Sequence, residues 1–219
     1  MNKTVQLVNL WGNFESLHPT GSIEDFCRYF LATQQRAEPG GPLVGGVVPN
    51  FSDGLLLKII GRISKLNMSY ANMALKGTDL NQIEEFGMLV TIQQEKNPKK
   101  TEVIFANLFE LSSGTDMLNR LKKRGLIKEF DDEEDKRSKR LSLTPKGEKT
   151  VLICYERVKK NARMMLHGLA EDDKLLCIQL LKNIEINLSG LWPQHRGKSF
   201  EEVYNSLVTE KNRKVKTKA

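Results

Sequence analysis

The spacing of apolar positions in the middle of the chain changes from a helical period to a strand period and back. Residues 111–124 carry leucines at helical spacing, and Ser112 is placed to cap the N-terminus of that helix. Gly125 supplies the left-handed position at which such a helix ends. Leu126-Ile127 and Leu141-Ser142-Leu143 then indicate two short strands. The pattern predicts a helix followed by a β-hairpin.

A second helix is predicted directly after the hairpin. Thr144 is a suitable N-cap, and Pro145 occupies the first helical position, where a missing N–H costs nothing. Almost every side chain of the intervening loop, residues 131–140, is charged. Helix, hairpin and helix in this order predict a winged helix-turn-helix domain, so the fold class is mainly α with a small β-hairpin.

The face of helix 111–124 opposite the leucines is polar and basic, as a DNA-recognition helix requires. Such a helix enters the major groove, where its N-terminal turns meet the base edges. We expect DNA contacts from Ser112, Ser113, Thr115, Asp116, Asn119, Arg120 and Lys123. Asp116 has two interpretations, because its carboxylate can accept from cytosine N4 or pair with Arg120 one turn later.

The hairpin tip is also rich in cations. Lys136, Arg137, Lys139 and Arg140 lie where an adjacent groove or phosphate would be, and arginine suits the negative potential of a narrow minor groove. The alternative is an ordinary exposed charged hairpin. The acids of residues 131–135 are interleaved with these cations, which favours a solvated, self-paired tip over a metal site.

Three motifs carry a family resemblance. They are Gly125-Leu126 at the end of the first helix, Asp132-x-x-Asp135-Lys136-Arg137 in the hairpin, and Leu143-Thr144-x-x-Gly147 after it. In this order they resemble the wing segment of the MarR family, the multiple-antibiotic-resistance regulators of bacteria. The resemblance covers residues 78–189. Lys136 replaces the family's first wing arginine and keeps its charge, whereas Asp116 stands near a position that is usually basic, which leaves the base preference open.

The resemblance implies a function. Arg137 is expected to enter the minor groove, held by an ion pair with Asp135. The terminal helices are expected to form a homodimer that binds a palindromic operator in double-stranded DNA. The family binds small aromatic or phenolic effectors between its dimerisation helices and its winged domain. The expected function is therefore a bacterial transcription regulator, a repressor that a ligand releases.

The rest of the chain is predominantly helical by the same criteria. Its long apolar helices exceed what one small winged helix can bury, which indicates a dimer. Helices are predicted over 53–76, 80–94, 101–108, 145–168, 171–188 and 199–208, with a break at 191–193. The organisation is an N-terminal extension at 1–52, a core and dimerisation helix at 53–78, the DNA-binding domain at 79–147, C-terminal dimerisation helices at 148–210, and a disordered basic tail at 211–219.

The N-terminal extension combines two amphipathic segments with a loop rich in Gly and Pro. A helix around residues 5–14 and a second, capped at Ser22 and reaching about residue 37, are predicted. They carry Trp11, Phe26, Tyr29 and Phe30, which we expect to be exposed and to need a partner surface such as a second subunit.

A small set of residues are candidates for binding a ligand or for redox sensing. Tyr70, Met73, Phe86, Met88 and Met164 are the candidates for an effector pocket, although Met and aromatic residues at helical spacing more often form a core. Cys27, beside Arg28, invites a redox-sensing hypothesis, because a low-pKa thiol needs nearby positive charge. The competing interpretation is a buried, inert cysteine.

Composition narrows the class of protein. The net charge of +7 favours an anionic partner. No apolar run is long enough to span a bilayer and the N-terminus is too polar for a signal peptide, so we expect a cytoplasmic protein. Scattered histidines and cysteines predict no metal, no cofactor and no enzyme. The alternatives are a winged-helix module for a protein or RNA partner and a redox regulator acting through Cys27.

Overall fold

A computed structural model describes residues 2–33, 43 and 45–207 of the chain. Its helices are α1 (Lys3–Leu17), α2 (Ile23–Thr33), α3 (Ser52–Ala74), α4 (Ile83–Glu95), α5 (Lys100–Ala106), α6 (Leu111–Lys123), α7 (Pro145–Met165) and α8 (Glu171–His195). The strands β1 (Ile127–Asp131) and β2 (Lys139–Leu143) form an antiparallel hairpin. Residues 200–207 are also helical. The predicted reach of α2 to residue 37, the end of the last helix at 208, part of the Gly/Pro loop and the basic tail 211–219 lie outside the described residues.

The chain divides into two compact units, Met1–Lys58 and Ile59–Ala219. In the first unit, α1 and α2 are joined by an aromatic cluster. The Phe14 ring centroid lies 5.5 Å from that of Phe26 and 5.4 Å from that of Tyr29, and Trp11 lies 5.3 Å from Phe26. Phe14 and Phe26 are buried. The expectation that these aromatic residues are exposed and need a partner is therefore wrong for Phe26, because the two helices cover it themselves.

The start of α2 follows the predicted capping pattern. Ser22 donates its backbone N–H and its hydroxyl to Oδ2 of Asp25, at 3.0 and 2.8 Å. In return, the backbone N–H of Asp25 donates to Ser22 Oγ at 3.1 Å. This reciprocal box satisfies N–H groups that have no partner within the helix.

The core of the second unit lies between α4, α5, α6, α7 and the hairpin. Its apolar side chains come from all of these elements, so the winged domain and the start of α7 form one packed body. The fully buried members include Met88, Leu89, Val103, Ile104, Leu118, Leu121, Leu126, Leu141 and Cys154.

The contact between α5 and α6 depends on a glycine. A Cβ placed on Gly114 would lie 2.6 Å from a side-chain carbon of Ile104, so the two helices approach more closely than any other residue would permit. The predicted cap of α6 is wrong, because the helix begins one residue before Ser112, with Glu110 at the N-cap position and no side-chain hydrogen bond. Ser112 therefore lies inside the first turn.

The hairpin strands are longer than predicted and are joined to the helical body. Phe130 pairs with Arg140 and Asp131 with Lys139 at the end near the tip. The Leu141 N–H donates to the Pro98 carbonyl at 3.0 Å, just before α5. The hairpin is thus held to the helix-turn-helix by main-chain bonds as well as by its core leucines.

The start of α7 is confirmed. Thr144 Oγ1 accepts from the Gly147 N–H at 3.1 Å and donates to the Gly125 carbonyl at 2.6 Å. A Cβ on Gly147 would lie 2.0 Å from the carbonyl oxygen of Leu126, so only glycine fits against the end of the hairpin. The Leu-Thr-x-x-Gly motif therefore joins the wing to α7.

The start of α4 differs from the prediction. Asp79 does not cap it; instead its carboxylate lies 3.0 Å from Lys146 Nζ, and a hydrogen bond from Lys146 lowers the pKa of Asp79. The helix begins at Ile83, whose N–H donates to Asn72 Oδ1 on α3 at 2.7 Å. A tertiary cap thus replaces the local one.

The predicted break at 191–193 is wrong. α8 continues through Pro193 to His195, and the Arg196 N–H still donates to the Trp192 carbonyl at 3.0 Å. Proline lacks an N–H donor, so α8 has one backbone hydrogen bond fewer in its last turns but still continues to His195. α8 has no buried residue in the single chain.

Candidate nucleic-acid interface

Helix α6 presents one face to the core and the opposite face to solvent. Met117, Leu118 and Leu121 are buried together with Gly114. The predicted contact residues lie on the other face and are exposed, with Thr115 half-buried: they are Ser112, Ser113, Asp116, Asn119, Arg120 and Lys123. A winged helix uses this arrangement to offer an unobstructed helix face to a groove.

The cations at the end of α6 divide into two groups. Lys122 Nζ lies 2.6 Å from Glu129 on β1, and this hydrogen bond lowers the pKa of Glu129. Arg124 lies 2.6 Å from the buried carboxylate of Glu85 and donates to the Asp79 carbonyl at 2.6 Å. These two side chains hold the domain together. Arg120 and Lys123 have no carboxylate within ion-pair distance among the described residues.

Asp132, in the hairpin loop, is buried, whereas the acids of residues 131–135 were predicted to be solvated and paired with the cations of the tip. Its Oδ1 accepts from the N–H groups of Glu134 and Asp135 at 2.9 and 3.0 Å. Its Oδ2 lies 2.5 Å from Arg140 Nε and 3.8 Å from Lys99 Nζ. Burial alone would raise the pKa of Asp132, but the backbone donors and Arg140 outweigh it and lower that pKa.

The same interactions divide the predicted wing cations. Arg140 is paired with Asp132 and also donates to the Asn97 carbonyl at 2.9 Å. Lys139 is paired with Asp131. Lys136 and Arg137 are exposed, and neither forms an ion pair within the described part of the chain. The hairpin tip therefore offers these two cations to a partner.

Asp135 contacts Arg137 in a different way from the one implied by the resemblance. Its Oδ1 accepts from the Arg137 backbone N–H at 3.1 Å, and its Oδ2 accepts from the Ser138 hydroxyl at 2.8 Å. The expected ion pair with the guanidinium is not formed. Asp135 instead fixes the backbone of the tip and leaves the Arg137 side chain free.

The predicted effector residues lie in two different parts of the second unit. Tyr70, Met73 and Met164 line one open groove of about 600 Å³ between α3 and α7, together with Ala74, Arg157, Lys160 and Asn161. Met88 is fully buried in the core and Phe86 packs against that core, so neither lines the groove. Asn161 is buried, and its Oδ1 has no hydrogen-bond partner.

The cysteines occupy different environments. Cys27 and Cys177 are exposed, and Cys154 is buried, where burial raises the pKa of its thiol. The guanidinium of Arg28, beside Cys27, lies 3.6 Å from the Asp25 carboxylate, so its charge is shared. Within residues 2–33, 43 and 45–207, no three His, Cys, Asp or Glu side chains are grouped as metal ligands would be. None of the described helices is long and apolar enough to cross a membrane.

Comparisons with known proteins agree with this geometry. Residues 84–147 match the family described as winged helix DNA-binding domain. An uncharacterized HTH-type transcriptional regulator, YybA of Bacillus subtilis, is 25% identical over 139 residues, which are 63% of this chain and 91% of that protein.

Solved structures share the fold. A mutant MarR from E. coli complexed with operator DNA superposes with a TM-score of 0.55 and 22% identity, covering 59% of this chain and 92% of that chain. BpsR of Bordetella bronchiseptica, whose DNA binding is regulated by 6-hydroxynicotinic acid, gives a TM-score of 0.55 and 18% identity over 59% of this chain and 98% of that chain. The chain therefore has the winged-helix fold of MarR regulators.

Proposed function

We propose that this chain is a sequence-specific DNA-binding transcription regulator of the MarR family and acts as a homodimer in the bacterial cytoplasm. The carrying observation is the distribution of cations over the winged domain. Lys122, Arg124 and Arg140 are used inside the domain. Arg120 and Lys123 on the exposed face of α6, and the two cations of the hairpin tip, are available to phosphates and bases.

A second copy of the chain is the proposed partner of α8. In the single chain, this helix exposes a row of side chains at helical spacing, which includes Leu181, Ile184 and Leu188. Exposed apolar surface of this extent marks an interaction site. Two copies related by a twofold axis would place two α6 helices in successive major grooves, about one helical turn apart, so the proposed operator is an imperfect palindrome.

The groove between α3 and α7 supports regulation by a ligand. Tyr70, Met73 and Met164 provide apolar walls, and the unpartnered Oδ1 of Asn161 can accept from a hydroxyl or N–H group. Lys160 lines the same groove and can pair with an anion. These features fit a hydroxylated aromatic acid, and we propose that its binding releases a repressor from DNA.

The DNA-binding proposal is tested by fluorescence anisotropy on the duplex upstream of the gene, with a scrambled duplex of equal length titrated beside it. The native duplex is expected to bind more tightly, with an affinity that falls steeply as salt rises. Arg137→Ala is expected to weaken operator binding without changing the oligomeric state or the melting temperature. Arg163→Ala, which removes an exposed arginine of α7, is the matched control and is expected to bind normally.

Equal, weak binding to both duplexes would contradict the proposal. It would instead favour a winged-helix module that binds a protein or RNA partner, for which the extension at 1–52 is a candidate surface. Full affinity of Arg137→Ala would contradict only the proposed role of the hairpin tip and would leave DNA binding itself in place. Loss of operator binding on mild oxidation, prevented by Cys27→Ser, would support the redox alternative over release by a ligand.

The ligand proposal has its own test. Hydroxybenzoates and related hydroxylated aromatic acids are titrated into the protein–operator complex, and dissociation is followed by the fall in anisotropy. Lys160→Met and Asn161→Leu are each expected to raise the concentration needed for release. Lys159→Met changes the neighbouring lysine, which does not line the groove, and is expected to behave like the parent protein. Identical release from all variants would exclude this groove.

A further inference from the structure

Asp116 lies at the centre of the exposed face of α6. With about 100° of rotation per residue, it is within about 60° of Ser112, Asn119 and Lys123. It points about 160° away from Leu118, which is buried in the core. In a helix that enters the major groove with this face, the Asp116 carboxylate is directed towards the base edges.

Among the described residues, no cation lies close enough to neutralise this carboxylate. Arg120 follows at the i+4 position, where a carboxylate and a guanidinium commonly pair. The two side chains are nevertheless not within ion-pair distance of each other. No other basic group of the described residues lies within ion-pair distance of Asp116 either. Asp116 is exposed, so its carboxylate is accessible to a DNA partner.

An unpaired carboxylate between two phosphate backbones is repelled by them unless a base donates a hydrogen bond to it. In the major groove, the amino groups of cytosine N4 and adenine N6 are the donors. Adenine also presents the N7 acceptor beside its amino group, which repels a second acceptor. Cytosine carries no acceptor on that edge and is therefore the better partner.

We propose that Asp116 selects one cytosine in each operator half-site by accepting a hydrogen bond from its N4 amino group. The proposal rests on the proposed function, since it requires that α6 enters a major groove. The negative charge also has a second effect. It weakens binding at every site that lacks the cytosine, so specificity increases by repulsion as well as by attraction.

The test is selection of bound duplexes from a random library by the full-length protein, the Asp116→Ala variant and the Asp116→Asn variant. The parent protein is expected to enrich a palindromic site with C·G at one position of each half-site. Asp116→Ala is expected to lose the preference at that position and keep it elsewhere. Asp116→Asn is expected to change it from cytosine to adenine, because an amide bonds both N6 and N7.

Affinity measurements then isolate the contact. Replacing the selected C·G pair in one half-site should weaken binding of the parent protein by about 5- to 150-fold, the range of a good base contact. The same replacement should leave Asp116→Ala nearly unaffected. Asp116→Ala should also bind scrambled DNA more tightly than the parent does. Glu156→Ala, which removes an exposed acid of α7, is the control for net charge and should keep the parent's preferences.

The outcomes separate the two proposals. If the parent protein enriches no sequence, the proposed function itself fails. If it enriches a palindrome but Asp116→Ala and Asp116→Asn enrich the same bases at every position, DNA binding stands and the assignment of Asp116 to a cytosine is overturned.

Discussion

Arg140 Nε lies 2.5 Å from Oδ2 of the buried Asp132, a pair that closes the hairpin at the point where its strands end and the loop begins. The other oxygen of that carboxylate accepts from the Glu134 and Asp135 N–H groups. A single acid therefore fixes the loop backbone and the first residues of β2. Because Asp135 in turn holds the Arg137 N–H, the conformation of the tip depends on these two carboxylates together.

We expect Asp132→Asn to loosen the hairpin. Asparagine can still accept from the two backbone N–H groups, but it leaves the half-buried Arg140 without its counter-ion. The free energy of unfolding should fall by more than in Glu133→Gln, an exposed neighbour in the same loop. Chemical denaturation of both variants measures this. Equal stability would show that the pair with Arg140 contributes nothing.

The same carboxylate predicts a loss of stability in acid. The pKa of Asp132 is lower in the folded protein than its ordinary value of 3.8. Its stabilising contribution is therefore present above that value and is lost as the pH falls through the lowered pKa. Glu129 and Asp79, whose pKa values are also lowered, act in the same direction. Denaturation midpoints between pH 6 and pH 2 should decline less steeply in Asp132→Asn than in the parent protein.

Asp132 also shows which features of the structure could not be predicted from the sequence. Local signals predicted the winged helix, the Thr144 cap and the exposed face of α6, because periodicity and capping depend on neighbours in sequence. The wing motif includes Asp132, but periodicity and capping do not predict that it is buried, since its burial depends on Arg140 and on Lys99, a residue before α5. The tertiary cap of α4 by Asn72 escaped prediction for the same reason.

The cations of the hairpin should not be equivalent in DNA binding. Replacing the Lys139–Asp131 pair by Gln and Asn leaves the net charge unchanged and removes two groups that already satisfy each other. Operator affinity should stay within about twofold, since an exposed ion pair contributes little. Lys136→Gln removes a free cation and should reduce both the affinity and its salt dependence. A tenfold loss in the double variant would mean that Lys139 leaves Asp131 to contact DNA.

Gly114→Ala should reveal how closely α5 and α6 must approach. The added methyl group would meet the Ile104 side chain at 2.6 Å, and the helices would have to separate. Overpacking of this kind costs about 1–3 kcal/mol. Thermal melting should therefore shift downward, and operator affinity should fall because α6 is displaced. Because Ile104→Ala removes both γ-carbons that the methyl group would meet, Gly114→Ala should cost less in that background than in the parent protein. An equal cost in both backgrounds would indicate a different cause.

The proposed dimer should depend on the apolar row of α8. Cys177, Leu181, Ile184 and Leu188 follow one another at helical spacing and are exposed in the single chain. Ile184→Glu places a charge in the centre of this row and should produce monomers in sedimentation experiments while the helical circular dichroism is kept. Gln179→Glu adds the same charge on another face of the helix and should remain dimeric. A monomer cannot hold both half-sites at once, so its affinity for the full operator should fall to that for a single half-site. A dimer that survives Ile184→Glu would place the subunit interface elsewhere.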